Sequence, residues 1–322
     1  MTKCILVSGG AGFIGSHLCE KLIESGHKVV CLDNLITGSQ KNIAHLLSNK
    51  NFLFFNHDVI KPFSHRRVLK IDEIYHLASP ADPNIHSKFS YMAHPFETML
   101  VNTVGTWNLC ELAIKHGARL SFASSSEIYG NPQKSPQDEN YRGNVSTIGP
   151  RSVYDEAKRF GETIVFAFVR EKKMDGRVTR IFNTYGPKMN LEEGRAVVNF
   201  IKQALRGQSL TIYGDGKQTR SFCYINDQVE GQILAMEKNG TCGEVFNIGN
   251  PDEKNILEFA QIIKGLTKSE SEIIFSEKLP KDDPLQRKPD IVKAQKILGW
   301  EPSVDLTSGL SQTIDYFKQN IQ

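Results

Sequence analysis

The sequence of 322 residues predicts an α/β protein in which helices cover both faces of a parallel β-sheet. Three observations predict it. Strand-like apolar runs alternate with helix-length amphipathic segments over the first half of the chain, and a glycine-rich turn, "GGAGFIGSHL", directly follows the first run. Beyond "YGPKMN" this alternation loosens, which indicates a second, smaller lobe.

The predicted sheet strands lie in the runs "KCILVSG", "KVVCLDN", "EIYHLAS", "RLSFASS" and "RVTRIFN". The first is followed by an amphipathic helix, "SHLCEKLIESG". In the second half, "AVVNFIKQALRG" predicts a helix and "LTIYGDG" a short strand, whereas "KLPKDDPLQRKPD" is expected to break regular structure. We therefore divide the chain into residues 1–186 and 187–322, with a return to the sheet expected within 219–250, at "EVFNIGN".

Composition narrows the classes of partner. The formal net charge is only +3, and its charges are dispersed, so no basic block is available to follow a nucleic-acid backbone. The six cysteines form no C-x-x-C pair, which favours a reducing compartment and no metal site. Apolar runs such as "NFLFF" are too short to cross a bilayer, and we expect a cytoplasmic protein without a membrane partner.

The glycine-rich turn predicts a dinucleotide site. Gly9, Gly12 and Gly15 give a G-x-x-G-x-x-G spacing that opens a helix, where the backbone can approach a pyrophosphate. The next strand ends in Asp33, whose carboxylate would bind ribose hydroxyls and repel a 2'-phosphate, so NAD is favoured over NADP. We assign the NAD-binding, Rossmann-type role to residues 1–186.

Four further residues are assigned to the cofactor site: Phe13, Ile14, Asn34 and Asp58. Asp58 follows the run "NFLFFNH", where an acid could meet the adenine amine, although an acid in a surface loop would look the same.

The stretch "SVYDEAKR" sets Tyr154 and Lys158 four positions apart, on one face of a helix. A neighbouring ammonium favours the phenolate, so Tyr154 could act as a base, and Lys158 could also hold a ribose. Ser125, in "SFASSSEIYG", could polarise the reacting alcohol. A lone Y-x-x-x-K also fits an ordinary amphipathic helix, but here it follows the glycine turn and the serine-rich strand.

These motifs resemble the extended short-chain dehydrogenase/reductase family over nearly the full length, to "LGWEPSVDLTSGL". Within it the chain looks most like the UDP-glucuronate decarboxylases, through "HLASPADP", "SSSEIYG", "IGPRSVYDEAKR" with "RIFNTYGP", and "DDPLQRKPDI". That resemblance implies NAD, a nucleotide-sugar substrate and decarboxylation of UDP-glucuronate through a 4-keto intermediate to UDP-xylose.

The resemblance also implies substrate-site residues in the lobe 187–322 and at the end of the sheet. Arg287 would meet the sugar carboxylate, and Glu127 would face the sugar ring. Asn183 and Arg195 would lie near the pyrophosphate, with Tyr213 and Arg220 near the nucleotide. Arginine suits both phosphates and a carboxylate because its fork binds two oxygens at once. A solvated surface position for Arg220 and Arg287 is the alternative.

Three other functions stay open from sequence. In a nucleotide-sugar 4,6-dehydratase an Asp-Glu pair performs the elimination, and here Ser126 stands at the aspartate position. A 4-epimerase would share the keto intermediate. A dinucleotide-sensing regulatory protein would have lost part of the Tyr-Lys-Ser set, which is present here.

The helix around Tyr154 carries apolar residues on more than one face, and the family uses this helix in a helix-bundle dimer. We therefore expect a homodimer; the alternative is that another helix of the same chain covers the second face. The segment between Asp82 and Tyr91 is longer than the decarboxylase pattern, and it should flank the sugar.

Overall fold

The structure, a computed structural model, describes residues 2–275 and 284–321. In these residues the strands are β1 Cys4–Ser8, β2 Lys28–Asp33, β3 Phe52–Asn56, β4 Glu73–His76, β5 Arg119–Ser125, β6 Gly176–Ile181, β7 Thr184–Tyr185, β8 Leu210–Ile212, β9 Thr219–Ser221, β10 Cys223–Tyr224, β11 Val245–Ile248, β12 Glu253–Asn255, β13 Ile273–Phe275 and β14 Gln286–Arg287.

The α-helices of the same residues are α1 Phe13–Glu24, α2 Pro95–Leu100, α3 Thr106–His116, α4 Ser152–Lys172, α5 Ala196–Leu205, α6 Ile225–Glu237, α7 Ile256–Thr267 and α8 Leu306–Asn320. Short 3₁₀ helices cover Gln40–Leu46 and Ser126–Tyr129, and π-helical turns cover Val101–Gly105 and Ala294–Leu298.

The central sheet has seven strands in the order β11-β6-β5-β4-β1-β2-β3. All six neighbouring pairs run parallel. The chain order reverses at β1, which is the switch point where the carboxyl ends of a doubly wound sheet leave a crevice. The predicted α/β class, a Rossmann-type parallel sheet between helices, is confirmed.

Two apolar layers hold the sheet between its helices. On one side, side chains of α1 and α6 pack against the sheet, and this core continues into α5, α7 and α8. On the other side, α3 and α4 pack against β4, β5 and β6. Because both faces are covered, the strands read as continuous apolar runs rather than alternating ones.

The second half of the chain builds small sheets beyond the strand ends. β9 pairs with β12 and β14, β8 pairs with β13, and β7 pairs with β10. Within 219–250, β11 is the strand that lies in the central sheet, next to β6. The boundary near residue 186 stays a prediction.

The stretch "KLPKDDPLQRKPD", expected to break regular structure, needs one correction. Residues 278–283, including the first two aspartates of the "DDPLQRKPDI" motif, lie outside the described residues. Gln286 and Arg287 are not irregular: they form β14, because they pair in parallel with Thr219 and Arg220. In the described part of the chain, no helix is both long enough and apolar enough to span a membrane.

Candidate active site

A large cleft of about 1150 Å³ opens at the carboxyl ends of the central strands. That volume is slightly above the usual range for small-molecule sites, which reaches about 1,000 Å³. The cleft is lined by these predicted site residues: Gly9, Gly12, Phe13, Ile14, Gly15, Asp33, Asn34, Asp58, Ser125, Glu127, Tyr154, Lys158, Asn183, Arg195, Tyr213 and Arg220. Arg287 is absent from that lining and lies behind Glu127.

The glycine turn leaves backbone exposed to a ligand. Gly9 has φ +75°, a left-handed conformation that glycine adopts without strain. A Cβ on Gly15 would lie 2.1 Å from the carbonyl oxygen of Gly9, so only glycine allows α1 to begin this close to the turn. The N–H groups of the first turn of α1 therefore face the cleft, as a pyrophosphate requires.

Asp33 ends β2 beside this turn. One of its carboxylate oxygens accepts a hydrogen bond from the Ala11 N–H at 2.9 Å and the other accepts one from the Leu35 N–H at 2.8 Å. Burial raises the pKa of this carboxyl, and the two N–H donors act against that rise. The carboxylate is thus fixed at the cleft wall with lone pairs left for ribose hydroxyls. Asn34 donates to Asp58 at 3.1 Å, which joins these two predicted residues.

Tyr154, Ser125 and Lys158 meet at the centre of the cleft. Tyr154 is 6% exposed, and Ser125 lines the cleft beside its hydroxyl. Burial raises the pKa of the Tyr154 phenol, while the Ser125 hydrogen bond lowers it. Ser125 is itself oriented by the Glu127 N–H, which donates to its Oγ at 3.2 Å.

Lys158 lies one turn along α4 from Tyr154, as the four-residue spacing predicts. Its Nζ donates to the carbonyl oxygen of Ala123 at 2.7 Å and lies 5.6 Å from the Tyr154 ring centre. Burial lowers the pKa of Lys158 to about 7. A lysine in this state is poised to exchange protons with its surroundings near neutral pH.

Glu127 is held between two arginines. Its Oε2 accepts from Arg151 Nη2 at 2.5 Å and from Arg287 Nη2 at 3.2 Å. Burial opposes its ionisation, but the charges of Arg287 and Arg151 outweigh burial and lower the pKa of Glu127 to about 2. Arg151 was not among the predicted site residues, although it directly precedes α4 and lines the cleft.

Arg287 is not a surface residue: it is 1% exposed, which removes the alternative of a solvated position. Its Nη1 donates to the carbonyl oxygen of Ser126 at 2.8 Å. Arg220, its register partner across β9 and β14, lines the cleft nearby. Because β14 places Arg287 behind Glu127, this arginine compensates the charge of Glu127 directly.

The remaining predicted substrate residues, Asn183, Arg195 and Tyr213, also line the cleft. The carbonyl oxygen of Asn183 accepts from the Cys223 N–H at 2.8 Å, and that of Tyr213 accepts from Gln218 Nε2 at 2.9 Å. Arg195 precedes α5 and its Nη2 donates to Glu193 at 3.2 Å. Glu193 is also buried, although it was not a predicted site residue. Burial, helped by the nearby charge of Asp82, raises the pKa of Glu193 to about 7, while the charge of Arg195 acts against this rise.

The segment after Asp82 forms one wall of the cleft. The Tyr91 N–H donates to the Asp82 carbonyl at 3.1 Å and closes the loop, and Asp82 accepts from the Gly194 N–H at 3.2 Å. Tyr91 stacks on Tyr154 with ring centres 4.7 Å apart and planes 12° apart. The loop therefore contacts Tyr154 through Tyr91, and this contact places the loop beside the predicted sugar site.

Among residues 2–275 and 284–321, no three His, Cys, Asp or Glu side chains are grouped so that they could hold a metal ion. His76 instead lies under the cleft floor, where its Nδ1 hydrogen-bonds Ser8 Oγ at 2.9 Å.

Residues 5–249 match the family described as the NAD dependent epimerase/dehydratase family. The chain is 48% identical over 322 residues to UDP-glucuronic acid decarboxylase 1 of Danio rerio, covering 99% of this chain and 74% of the relative. It is 49% identical over 307 residues to UDP-glucuronic acid decarboxylase 3 of Arabidopsis thaliana, covering 95% of this chain and 86% of the relative.

Among solved structures, UDP-glucuronic acid 4-epimerase of Bacillus cereus, in complex with UDP-glucuronic acid and NAD, is similar with a TM-score of 0.87. It is 31% identical, and the match covers 98% of this chain and 99% of that one.

The fold, the glycine turn and the Tyr-Lys-Ser set thus define an NAD-dependent enzyme of the extended short-chain dehydrogenase/reductase type, and the chain belongs to the NAD dependent epimerase/dehydratase family. Within that family, the relatives reported above at 48% and 49% identity are UDP-glucuronic acid decarboxylases. The resemblance drawn from the motifs, and NAD as the cofactor, are confirmed.

Proposed function

We propose that this protein is an NAD-dependent decarboxylase that converts UDP-glucuronate into UDP-xylose through a 4-keto intermediate. The observation that carries this proposal is the Glu127 carboxylate, held ionised by Arg151 and Arg287 beside the Tyr154–Ser125 pair. A site for an acidic sugar needs its negative charges compensated, and here Arg151 lines the cleft while Arg287 compensates Glu127 from behind. The decarboxylase relatives support the same substrate.

The cleft residues fit the cofactor. The first turn of α1 would hold the pyrophosphate, Asp33 the adenosine ribose, and Lys158 the second ribose. When bound, NAD supplies a reversible hydride acceptor for C4 of the sugar.

Tyr154 takes the proton of the C4 hydroxyl. Ser125 lines the cleft beside the Tyr154 hydroxyl, so both oxygens can reach the reacting alcohol. The ammonium form of Lys158, 5.6 Å from the ring centre, stabilises the phenolate. Ser125 keeps the developing ketone polarised.

Oxidation at C4 places a ketone beta to the carboxylate of the sugar. Loss of carbon dioxide then leaves the electron pair of the C5–C6 bond as an enolate on the C4 oxygen, where Tyr154 and Ser125 can donate hydrogen bonds. A proton taken up from solvent at C5 restores the ketone. The hydride removed in the oxidation then returns to C4, and Tyr154 returns its proton to the C4 oxygen as the alcohol forms again. The overall reaction involves no net oxidation or reduction.

The acid needed for 4,6-dehydration is missing at the position where dehydratases carry it. Ser126 occupies that position, is 2% exposed, and offers its carbonyl oxygen to Arg287. A serine held in this way cannot protonate a leaving hydroxyl as a carboxylic acid does.

The test is to incubate purified protein with UDP-glucuronate and NAD, and to follow carbon dioxide, the mass of the product sugar and the absorbance of free NADH. We expect carbon dioxide and a pentose product in equal amounts, with Tyr154→Phe as the inactive control. A pentose with free NADH would mean a 4-keto product instead. An unchanged mass with inverted stereochemistry would mean a 4-epimerase, and no reaction with any nucleotide sugar would favour a regulatory protein.

We also propose that the protein is a homodimer that packs through α2, α3 and α4. Four large apolar side chains follow the helical spacing along the outer face of 95–116 and are 41% to 71% exposed: Phe96, Leu100, Val104 and Trp107. Phe160 on the adjoining α4 is 55% exposed. A patch of this kind on three packed helices is typical of a protein interface.

Phe160→Glu should convert the dimer to a monomer in analytical ultracentrifugation, because a carboxylate buried in the interface is costly. Phe275→Glu is the matched control, since Phe275 is also 55% exposed but lies on β13. A monomeric wild-type protein would overturn this proposal. The cytoplasmic location, expected from the short apolar runs and in keeping with the reducing compartment expected from the cysteines, stays a proposal; all six thiols are free.

A further inference from the structure

The segment that follows Arg287 is held on both sides by one buried residue, Gln137, through its backbone and its side chain. This glutamine is 0% exposed. Its N–H donates to the Lys288 carbonyl at 2.8 Å, and its Oε1 accepts from the Lys288 N–H at 2.9 Å. The Asp290 N–H donates to the Gln137 carbonyl at 2.8 Å. Three hydrogen bonds therefore fix the backbone just after Arg287.

Asn247, on the edge strand β11, connects Gln137 and the segment after Arg287 to the 3₁₀ helix Ser126–Tyr129. Its Nδ2 donates to the carbonyl oxygens of Gln137 at 2.9 Å and Asp290 at 3.0 Å. Its Oδ1 accepts from the Tyr129 hydroxyl at 2.7 Å. Tyr129 ends the 3₁₀ helix Ser126–Tyr129 that carries Glu127. One asparagine thus joins the element of Glu127 to the segment of Arg287.

The same network is anchored in the sheet and in the helix of Tyr154. Arg180 on β6 donates to the Tyr129 hydroxyl at 3.0 Å. It also forms two hydrogen bonds to Glu162 on α4, at 3.0 Å and 2.8 Å. A buried polar network with its partners in place is rigid, so it can hold two charged groups at a set separation.

The distance between Arg287 and Glu127 matters for an acidic ligand. Glu127 places a negative charge at the cleft wall, and a sugar carboxylate entering beside it would be repelled if that charge were not compensated. A neutral sugar ring would feel much less of this repulsion. The pairing of Arg287 with Glu127 therefore bears on the acceptance of a carboxylate rather than on the binding of the nucleotide.

We infer that Gln137 and Asn247 are positioning residues that hold Arg287 against Glu127 and thereby allow the cleft to accept a ligand with a carboxylate. This inference rests on the proposed function for its substrate, UDP-glucuronate. It assigns a role to two buried residues that line no part of the cleft.

The experiment compares equilibrium binding of UDP-glucuronate and UDP-xylose, which lacks the carboxylate, to the NAD-loaded enzyme by calorimetry. Gln137→Met keeps the length of the side chain and removes both its hydrogen bonds to Lys134 and Lys288. We expect affinity for UDP-glucuronate to fall about tenfold, while that for UDP-xylose stays within about twofold. The control is Thr179→Val, which removes a buried 2.8 Å hydrogen bond to Gln232 away from Arg287 and should leave both affinities within about twofold.

Equal losses for both ligands, or no loss for either, would overturn the inference. If Gln137→Met does not fold, Tyr129→Phe removes only the hydroxyl that joins Asn247 and Arg180, and should show the same selectivity at about threefold. The two proposals fail differently. A wild-type protein that binds UDP-glucuronate without releasing carbon dioxide contradicts the proposed function, whereas an active wild type with an unselective Gln137→Met contradicts the positioning role.

Discussion

The ammonium nitrogen of Lys158 lies 5.6 Å from the ring centre of Tyr154 and 4.9 Å from that of Phe122, with its hydrogen bond going to the Ala123 carbonyl. Lys158 is 3% exposed, so its charge is compensated by ring faces and a carbonyl oxygen in place of water. Burial therefore lowers the pKa of Lys158 to about 7. The buried position of Lys158 suits catalysis, but burying its charge lowers the free energy of unfolding.

Lys158→Met should stabilise the protein freed of bound nucleotide. The pKa of Lys158 in the folded protein lies below the ordinary value for lysine, so the unfolded chain binds more protons than the folded protein between these two values. The stability of the wild type therefore falls as pH decreases from about 10 to about 7. We expect the variant to gain about 2 kcal/mol in the free energy of unfolding at pH 7, and nearly nothing above pH ~10.5. Urea unfolding across this pH range measures it.

Lys172→Met is the control, since Lys172 lies exposed in the last turn of the same helix. It should change the free energy of unfolding by less than about 0.5 kcal/mol at every pH. A Lys158→Met variant that is less stable at pH 7 would show that the lysine stabilises the fold, contrary to this account.

Arg287→Met should destabilise the protein through Glu127. The substitution leaves Arg151, with a smaller contribution from Arg220, to compensate the charge of Glu127, so we expect a loss of about 2 kcal/mol in the free energy of unfolding. Adding Glu127→Gln should restore part of the stability, because the uncompensated charge is removed. The double variant should still show no decarboxylation. Denaturant titration of the two single variants and the double variant measures the coupling.

An exposed ion pair serves as the comparison for this cycle. Lys254 and Asp252 are 2.8 Å apart, with side chains 32% and 57% exposed. Lys254→Met should cost less than about 0.5 kcal/mol. Additive losses for Arg287→Met and Glu127→Gln would contradict the direct interaction of the two charges.

The sheet and the cofactor turn could be predicted from sequence because their signals are local. The strands β1, β2, β4, β5 and β6 each coincide with an apolar run, and the glycine spacing lies within one turn. Tyr154 and Lys158 also needed only the helical period to be placed on one face.

The charge cluster could not be predicted in the same way. Glu127 meets Arg151 from 24 positions away and Arg287 from 160 positions away, so no local pattern joins them. The "QRKP" stretch reads as polar loop, and only the pairing of β14 with β9 buries its arginine. Tertiary pairing decides such burial, whereas propensity and hydropathy describe a segment alone.

Gly15→Ala should abolish NAD binding. A Cβ at this position would lie 2.1 Å from the Gly9 carbonyl oxygen and 2.8 Å from the Gly10 Cα, so the turn must move away from α1. We expect NAD affinity to fall more than about 100-fold in calorimetry, because the N–H groups lose their alignment. Gly265→Ala in α7 is the control: its Cβ meets no atom within 4 Å, and the helix should gain about 0.5–1 kcal/mol. An alanine at residue 15 with unchanged NAD affinity would refute the role of the turn.

Asp33→Ser should relax the choice between NAD and NADP. The Asp33 carboxylate is 7% exposed and fixed by two backbone N–H donors, so it cannot turn away from a 2'-phosphate. Replacing it removes one repelled charge and one acceptor for the ribose hydroxyls, and serine can donate to a phosphate oxygen. We expect NAD affinity to fall about tenfold and NADP affinity to rise about tenfold, measured on the same preparation. Glu111→Gln, which removes an equal charge from the exposed side of α3, should leave the ratio of the two affinities unchanged. If the ratio moves equally in both variants, the preference for NAD comes from the overall charge of the protein and the local role of Asp33 is wrong.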